Sequence, residues 1–470
     1  MERRTFLKIL SSAGIVSLVS PTFAMEVCKN KVSKSSSALL ESAFRNPPFS
    51  SGVYTWWHWM NGNITKDGIT RDLEAMKANG IAGYQLFEAG SGIPIGPVES
   101  LSDEWVDLIL HTLKESERLG LEFAMHNCPG WSSSGGPWIT PDKAMQIITW
   151  SETKITGGKQ VRIQLPTPKH MFDYYIDTYC LAIPANMKVI PRLSILELSN
   201  RLDKDGVLTW DVPTGEWLIM RFGQTAKDQK NKSAPSKSTG LDCDKFSTEA
   251  LDYHLNCMFK RLMPTMEKIA KHSKIGLLID SYETGDQDWT SDMPAYFEQS
   301  HGYELYPFLP VLANKIVESE ESTKRFLFDF RRVRADMFAE RYYGHFQKRC
   351  KEKGIITYTE PYGGNMMEEL QVAQQLDINM GEFWCGQTVL WANYKYNRTV
   401  KQVASIAHTL GGKVVGAEAF TSEPDADKWL QYPYALKSLG DYMFTRGLSR
   451  IYFHRFAHHP HPTAAPGMTM

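Results

Sequence analysis

The sequence predicts an α/β protein built as a TIM (β/α)8 barrel with a small β domain inserted between strands 3 and 4. Apolar strand patterns alternate eight times with amphipathic helix patterns, an order typical of parallel βαβ units. Between about residues 150 and 240 this alternation gives way to short strands separated by Gly, Pro and Asp turns. An open doubly wound sheet is the alternative, but no Gly-rich phosphate loop follows any predicted strand.

The composition excludes several classes of protein. Of the 470 residues 42% are hydrophobic and 22% are charged, a mixture typical of globular proteins and not of disordered chains. The 52 basic and 53 acidic residues nearly balance, so the charge gives no indication of a nucleic-acid partner. No segment is long and apolar enough to predict a membrane span.

Residues 1–24 resemble a twin-arginine export signal. Arg3 and Arg4 precede an uncharged stretch, and Thr-Phe-Ala at 22–24 offers a small-x-small cleavage site. A basic amphipathic helix is the alternative interpretation. The signal predicts that the mature protein works in the periplasm or is secreted.

The first part of the barrel is predicted over residues 25–149 and contains three strands. They cover Gly52–Met60, Ile81–Phe87 and Leu121–His126. Amphipathic helices follow the first two strands and end at Gly80 and Gly120. A loop rich in Gly, Ser and Trp follows the third strand.

The inserted β domain is predicted over residues 150–240. Its short alternating strands include Lys159–Leu165, Tyr179–Ile183 and Glu216–Phe222. The polar segment 227–238, rich in Lys and Ser, is predicted to be a mobile loop.

The second part of the barrel is predicted over residues 241–470. It begins with a long helix, Ser247–His272, and a second long helix ends before Gly354. Five strands complete the count of eight: Ile275–Tyr282, Ile355–Glu360, Asp377–Phe383, Lys413–Ala419 and Ser449–Phe456.

Every predicted strand ends in a carboxylate or an imidazole. These residues are His58, Glu88, His126 with Asn127, Glu283, Glu360, Glu382, Glu418 and His454. Each one alone has an ordinary structural explanation, but packing does not call for acids at the same end of five strands. Because barrel enzymes place their active sites at this end, the pattern predicts a carboxylate-rich pocket.

The chemistry of such a pocket suits glycoside cleavage, which uses one protonated carboxyl group and one base or nucleophile. Further carboxylates can hold the substrate or a hard cation such as calcium. Several aromatic residues lie near the acids along the sequence, and core packing is the competing explanation for each: Trp56, Trp57, Trp59, Trp131, Tyr282, Trp289, Tyr358, Trp384 and Tyr452.

Five segments closely resemble glycoside hydrolase family 106, the α-L-rhamnosidases that act on plant cell-wall polysaccharides. They are WWHWMNGNITKDGITRDLEAMK (56–77), MHNCPGWSSSGGPWITP (125–141), DSYETGDQDWT (280–290), GAEAFTS (416–422) and the final FAHHPHPTAAPGMTM. The resemblance implies a barrel enzyme that hydrolyses terminal α-L-rhamnosyl bonds of pectin-type glycans with inversion and requires calcium. It also implies Glu283 as general acid and Glu418 as general base.

The remaining pocket residues are assigned from the strand ends and from the aromatic residues that flank the acids. We expect the following to bind substrate: Trp57, His58, Glu88, His126, Asn127, Trp131, Tyr282, Glu360, Trp384 and His454. Glu382 is the candidate calcium ligand, although the division of roles between Glu360 and Glu382 stays open.

The sequence departs from the family at its end. It stops at Met470, just after the eighth strand, without an eighth helix or the β-sandwich domains that relatives carry. We therefore expect a truncated chain that exposes apolar surface on the side of strands 8 and 1.

Three other functions remain open at this stage. A metal-dependent amidohydrolase is suggested by His454, His458, His459 and His461, but a His-x-His at the end of strand 1 is missing. A non-catalytic carbohydrate-binding protein is possible if truncation disables the site. A glycosidase for another sugar can use the same barrel, because pocket aromatics do not encode one sugar.

Overall fold

The computed structural model describes residues 34–90, 92–131, 134–385, 389–412, 414–422, 428 and 430–464. The predicted export signal lies outside these residues. The chain divides into two compact units, residues 1–52 and 53–470. The first unit contains an α-helix, Lys34–Arg45, and a 3-10 turn, Phe49–Ser51. Among the described residues, no helix is both long and apolar enough to cross a membrane.

The second unit is built around a closed barrel of eight parallel strands, which confirms the predicted fold class. The strands are β1 (Val53–Met60), β2 (Ile81–Ala89), β3 (Glu122–His126), β4 (Ile275–Ile279), β5 (Ile356–Thr359), β6 (Ile378–Cys385), β7 (Val415–Ser422) and β8 (Arg450–Ala457). Each strand pairs with its neighbours in chain order, and β8 closes the barrel against β1. Most barrel strands are buried along their length, as expected for parallel strands covered by helices.

Helices surround the barrel. The described α-helices of this unit are Lys66–Ala78, Asp103–Leu119, Thr248–Phe259, Met263–Ala270, Met293–His301, Leu309–Leu312, Glu320–Met337, His345–Lys351, Glu369–Ala373, Val389–Leu410 and Pro433–Thr445. The helix after β1 begins where the Thr65 hydroxyl accepts a hydrogen bond from the Gly68 amide. The helix after β2 ends at Gly120, which adopts a left-handed conformation with φ of 68°.

The predicted helix Ser247–His272 is instead two helices. Thr248–Phe259 and Met263–Ala270 are separated by a turn, and Pro264 occupies the first turn of the second helix. A proline tolerates that position because the amide hydrogen it lacks has no intrahelical acceptor there. The helix Glu320–Met337 continues through a π-helical turn, Phe338–Gly344, into His345–Lys351.

Between β3 and β4 the chain forms antiparallel sheets outside the barrel. The larger sheet has the strand order Gln146–Thr156, Glu216–Ala226, Ile176–Pro184 and Leu196–Glu197, and the smaller one pairs Val207–Val212 with Lys159–Gln164. These strands share a core that includes Cys180, Leu208, Trp210 and Ile219. Gly135–Gly136 and Leu241–Asp242 form a further antiparallel pair, and Val189–Ile190 forms a parallel pair with Ile316–Val317, which follows β4.

Two strands differ from the sequence predictions in ways that matter for the site. β4 ends at Ile279, three residues before its predicted end at Tyr282. Asp280 is therefore the first residue after the strand, and Glu283 lies further along the loop. β8 is only half-buried at seven of its eight residues, whereas β1 is buried at seven of eight. The two strands that close the barrel thus differ in burial.

Candidate active site

A cavity of about 240 Å³ opens at the carboxyl ends of the barrel strands. Five carboxylate side chains line it: Asp280, Glu283, Glu360, Glu382 and Glu418. The other lining residues are Trp56, His58, Phe87, Trp131, Ser281, Trp384, Thr421 and His454. The pocket predicted from the strand ends therefore exists and is rich in carboxylates.

Asp280 and Glu360 follow directly on the neighbouring strands β4 and β5. Ile279 is the register partner of Thr359, so the next residue on each strand enters the cavity at the same level. The Glu360 amide donates to the Ile279 carbonyl at 3.2 Å, and the Tyr362 hydroxyl donates to the Glu360 carboxylate. The main chain and a phenol thus fix this pair of acids.

Glu382 and Glu418 form a second pair, across β6 and β7. They are direct register partners, and the side chains of partners on parallel strands point to the same face. The Trp384 indole N–H donates to Glu382, and the Thr421 hydroxyl donates to Glu418. Each acid of this pair is therefore oriented by a residue two or three positions further along its own strand.

Burial changes the protonation of these acids. Loss of hydration raises the pKa of Asp280 to about 8 and the pKa values of Glu360 and Glu418 well above their usual range. The neighbouring acids add to the shift, because like charges disfavour each other's ionisation. Such a cluster shares protons among its members at neutral pH unless positive charge is supplied.

Glu283 has a different environment. It lies in the loop after β4, and its side chain is 37% exposed. Its Oε2 accepts hydrogen bonds from the Trp131 indole at 3.0 Å and from the Lys232 ammonium group at 2.6 Å. Both contacts hold the carboxyl group in place at the edge of the cavity.

Lys232 reaches the cavity from the segment 227–238, for which the sequence predicts a mobile loop. The structure holds this segment against the turn that contains Trp131. The Trp131 amide donates to the Lys232 carbonyl at 3.2 Å, and the Asn231 side chain donates to the Pro129 carbonyl at 3.1 Å. A Cβ atom on Gly130, where φ is 76°, would lie 2.1 Å from the Lys232 carbonyl oxygen. Only glycine therefore permits this close approach.

A neutral polar wall faces the acids. The ring nitrogens of His58 and the indole nitrogen of Trp56 are buried and have no hydrogen-bond partner among the described residues. Burial lowers the pKa of His58 well below its usual value and that of His454 to about 3, so both rings are neutral. Such orphaned groups are suited to pair with the hydroxyls of a bound sugar.

An apolar platform completes the cavity. The rings of Phe87 and Trp131 are stacked, with centroids 5.7 Å apart and planes 17° from parallel. The ring of His58 stacks on Phe87 at 4.4 Å. Aromatic faces of this kind pack against the C–H groups of a sugar.

Several predicted substrate-binding residues do not line this cavity. Successive residues of β1 point to opposite faces, so Trp56 and His58 face inwards whereas Trp57 faces the helix layer. The Trp57 indole donates to Asp72 there at 3.1 Å. The structure thus replaces Trp57 with Trp56 at the site.

Asn127 and Tyr282 make bonds to their own surroundings. The Asn127 amide donates to the Leu278 carbonyl and accepts from the Ser134 hydroxyl. The Tyr282 hydroxyl donates to the Gly285 carbonyl. The structure gives these two residues a positioning role.

Glu88 and His126 lie behind the main cavity and line a separate space of about 10 Å³. Glu88 accepts a hydrogen bond from the Ser100 hydroxyl at 2.6 Å, and burial raises its pKa to about 7. The His126 Nε2 atom lies 3.8 Å from Asp280 Oδ2, and burial lowers the pKa of His126 to about 3. His126 therefore lies close to the Asp280 carboxyl group without lining the main cavity.

Sequence reasoning missed Asp280, Trp56, Phe87, Thr421 and Lys232. Asp280 was visible as a carboxylate directly after an apolar run, but Tyr282 extended the apparent strand past it. Trp56 required the inward face of β1 to be known. Lys232 had no signal in the sequence, because its approach depends on a contact between segments about a hundred residues apart.

The donor chemistry of the cavity suits a hard cation, since carboxylate oxygens are the ligands that calcium prefers. One oxygen of Glu360 is buried without a partner among the described residues. However, within the described part of the chain no three His, Cys, Asp or Glu side chains are grouped as a metal site. The described carboxylates of the cavity thus offer single ligands for calcium and not a grouped set.

The histidines that suggested an amidohydrolase are dispersed. His454 lines the cavity, but His458 is buried against the helix after β1, where its Nδ1 lies 2.7 Å from Asp72 Oδ2. The His458 Nε2 atom accepts from the Thr65 amide at 3.3 Å. His458 thus has a structural role in joining the segment after β8 to the helix after β1.

Comparison with known proteins places this site in a family. Residues 45–178 and 169–470 match glycoside hydrolase family 106, described as alpha-L-rhamnosidase. A curated protein from Formosa agariphila, provisionally named a beta-glucuronidase, is 40% identical over 462 residues. That alignment covers 92% of this chain and 39% of the relative, so the chain spans about two fifths of the relative's length.

The fold is similar to that of a solved rhamnosidase from Novosphingobium sp. PP1Y. The TM-score is 0.84 at 24% sequence identity, over 92% of this chain and 57% of that one. The likeness supports the closed barrel with its flanking helices and inserted strands.

Proposed function

Since the chain belongs to glycoside hydrolase family 106, we propose that it releases terminal α-L-rhamnose from pectin-type plant cell-wall glycans with inversion. The observation that carries this proposal is the placement of Glu283 and Glu418 in one cavity at the carboxyl ends of the barrel strands. Two carboxyl groups on opposite sides of a scissile bond are what glycoside hydrolysis requires. The neutral wall and the aromatic platform supply contacts for the sugar.

In the proposed mechanism Glu283 protonates the leaving oxygen and Glu418 activates a water molecule on the other face of the sugar ring. His58, His454 and Trp56 hold hydroxyl groups, and Trp131 packs against the ring. The high pKa of Glu418 favours the reversed assignment, with Glu418 as donor, as the second candidate. The dependence of rate on the leaving group distinguishes the two.

The charge of the cavity supports a neutral sugar over a uronate. Five acids that share protons line the cavity, and none of the described lining residues is a Lys or Arg that could pair with a sugar carboxylate. A glucuronide, which the name of the Formosa relative brings to mind, would place its carboxylate among these acids. Rhamnose, with a methyl group at that position, meets no such penalty.

We retain calcium as part of the proposal, with Glu382 and Glu360 as its candidate ligands. In this proposal the two carboxylates would bind calcium together with hydroxyl groups of the substrate. A bound calcium ion would supply positive charge that favours ionisation of the surrounding carboxyl groups.

A screen of aryl glycosides with and without a calcium chelator tests the function. We expect release from the α-L-rhamnoside and not from the β-D-glucuronide, with loss of activity on chelation and recovery when calcium is restored. NMR detection of β-rhamnose as the first product would support inversion. Turnover of the glucuronide in preference to the rhamnoside would contradict the proposed specificity.

We also propose that the protein works in the periplasm or outside the cell. The proposal rests on the twin-arginine pattern of residues 1–24 and on a polymeric substrate that is found outside cells.

A further inference from the structure

Lys232 lies at the rim of the cavity. Its positive charge is opposite to the charge of the carboxylates that line the cavity wall. Its ammonium group is 2.6 Å from Glu283 Oε2, and 52% of its side chain is exposed. Lys230 and Lys237, in the same segment, are also exposed. The cavity wall is therefore rich in carboxyl groups, and the ammonium group of Lys232 lies against one of them from the exposed side.

This inference rests on the proposed function, in which Glu283 is the general acid. That role fixes where Lys232 lies relative to the scissile bond. A general acid must lie within hydrogen-bond distance of the leaving oxygen. Lys232 contacts the same carboxyl group from the exposed side. It therefore lies beside the sugar that leaves, while the rhamnose occupies the enclosed part of the cavity.

An anion on the leaving sugar would meet the ammonium group of Lys232 beside the Glu283 carboxyl group.

We propose that Lys232 binds an anionic group, a carboxylate or a sulfate ester, on the sugar to which the rhamnose is attached. The main chain holds Lys232 in place through the Trp131 amide, and the neighbouring Asn231 is bonded to the Pro129 carbonyl. The cation is therefore presented on a fixed backbone, which limits the entropy lost when the anion binds.

The experiment compares three disaccharides: rhamnosyl-glucuronate, its methyl ester, and a rhamnosyl-glucose that carries a sulfate ester. The methyl ester keeps the shape of the glucuronate and removes its charge. We expect kcat/KM for the charged substrates to exceed that for the ester by about five- to tenfold at low salt, and the ratio to fall as ionic strength rises. A preference for only one charged substrate would identify the anion.

Variants assign the effect to Lys232. Lys232→Gln should bring the ratio of charged to neutral substrate close to one, Lys232→Arg should keep it, and Lys237→Gln is the control on an exposed lysine of the same segment. Equal rates of the wild type on acid and ester, or a preference that survives Lys232→Gln, would overturn the inference. Failure to release rhamnose from any disaccharide or from an aryl rhamnoside would contradict the proposed function itself.

Discussion

At the scale of single residues, the chemistry of the site depends on which carboxyl group holds a proton. Glu283 is half-exposed and receives two hydrogen bonds, one of them from an ammonium group. Glu418 is half-buried beside Glu382, and loss of hydration raises its pKa. The two acids are therefore in opposite electrostatic environments, a division that glycosidases use to separate a donor from a base.

Substitution of each acid separates their roles. If Glu283 is the donor, Glu283→Gln should lower kcat/KM for a disaccharide by about 10²- to 10⁴-fold and for a dinitrophenyl rhamnoside far less, because that leaving group needs no proton. Glu418→Gln should slow both substrates equally. The measurement is kcat/KM on the two substrates, with thermal melting as the control for folding. The opposite pattern would assign the donor role to Glu418.

A second prediction concerns Glu88, whose pKa burial raises to about 7. In the unfolded chain a glutamate ionises near pH 4.3. Between these two values the folded state binds more protons, so the contribution of Glu88 to stability falls as pH rises from about 4 to about 7 and is constant above. Glu88→Gln removes this dependence.

We therefore expect Glu88→Gln to gain stability relative to the wild type between pH 5 and pH 8, measured as the difference in Tm at each pH. Glu99→Gln, on an exposed neighbour, is the matched control and should show little change. Parallel curves of Tm against pH for Glu88→Gln and the wild type would contradict the shifted pKa.

At the scale of elements, the sequence was sufficient to predict at which end of the barrel the acids gather. It was not sufficient to predict the residues at which each strand begins and ends. Parallel strands that are buried on both faces lack an alternating pattern that would mark where they end. The predicted strand β4 therefore extended past Ile279 to Tyr282. The same lack of alternation on β1 concealed that Trp56, and not Trp57, faces inwards. The prediction that acids gather at one end held because it depends on the order of elements alone.

Another element-level prediction concerns the junction that closes the barrel. Asp72, on the helix after β1, accepts hydrogen bonds from the Trp57 indole and the His459 amide and lies 2.7 Å from His458 Nδ1. The contacts of His458 and His459 tie the segment after β8 to the start of the barrel, and the Trp57 bond holds Asp72 against β1.

Asp72→Asn should lower the free energy of unfolding by about 2 kcal/mol, since it weakens several buried hydrogen bonds to a charged group. Chemical denaturation measures the change. Asp67→Asn, on the exposed face of the same helix, should cost no more than about 0.5 kcal/mol. Similar costs for the two variants would show that the junction contributes little.

At the scale of the whole molecule, the barrel was predictable from its eightfold alternation and the insertion from the change of period. The path of segment 227–238 was not, because periodicity carries no information on contacts between distant segments. The same distinction applies to the site. The position of its acids could be predicted from the order of strands and helices, whereas the position of Lys232 depends on tertiary contacts that the sequence pattern does not show.

A prediction at this scale concerns export of the full chain. Arg3→Lys combined with Arg4→Lys should retain the protein in the cytoplasm, whereas the wild type should reach the periplasm and lose residues 1–24. Cell fractionation and the mass of the mature protein measure this, with Lys8→Arg as the charge-conserving control. Export of the double variant would contradict the twin-arginine assignment.

The inserted β unit and the active site share one stretch of chain. Its last strand, Glu216–Ala226, leads directly into the segment that carries Lys232 to the cavity rim. An engineer who excised the insertion to obtain a smaller barrel would also lose the residue that fixes Glu283. If Lys232 binds the leaving sugar as proposed, mutations within the inserted sheet would alter the choice of leaving group while the carboxylates of the cavity stay unchanged.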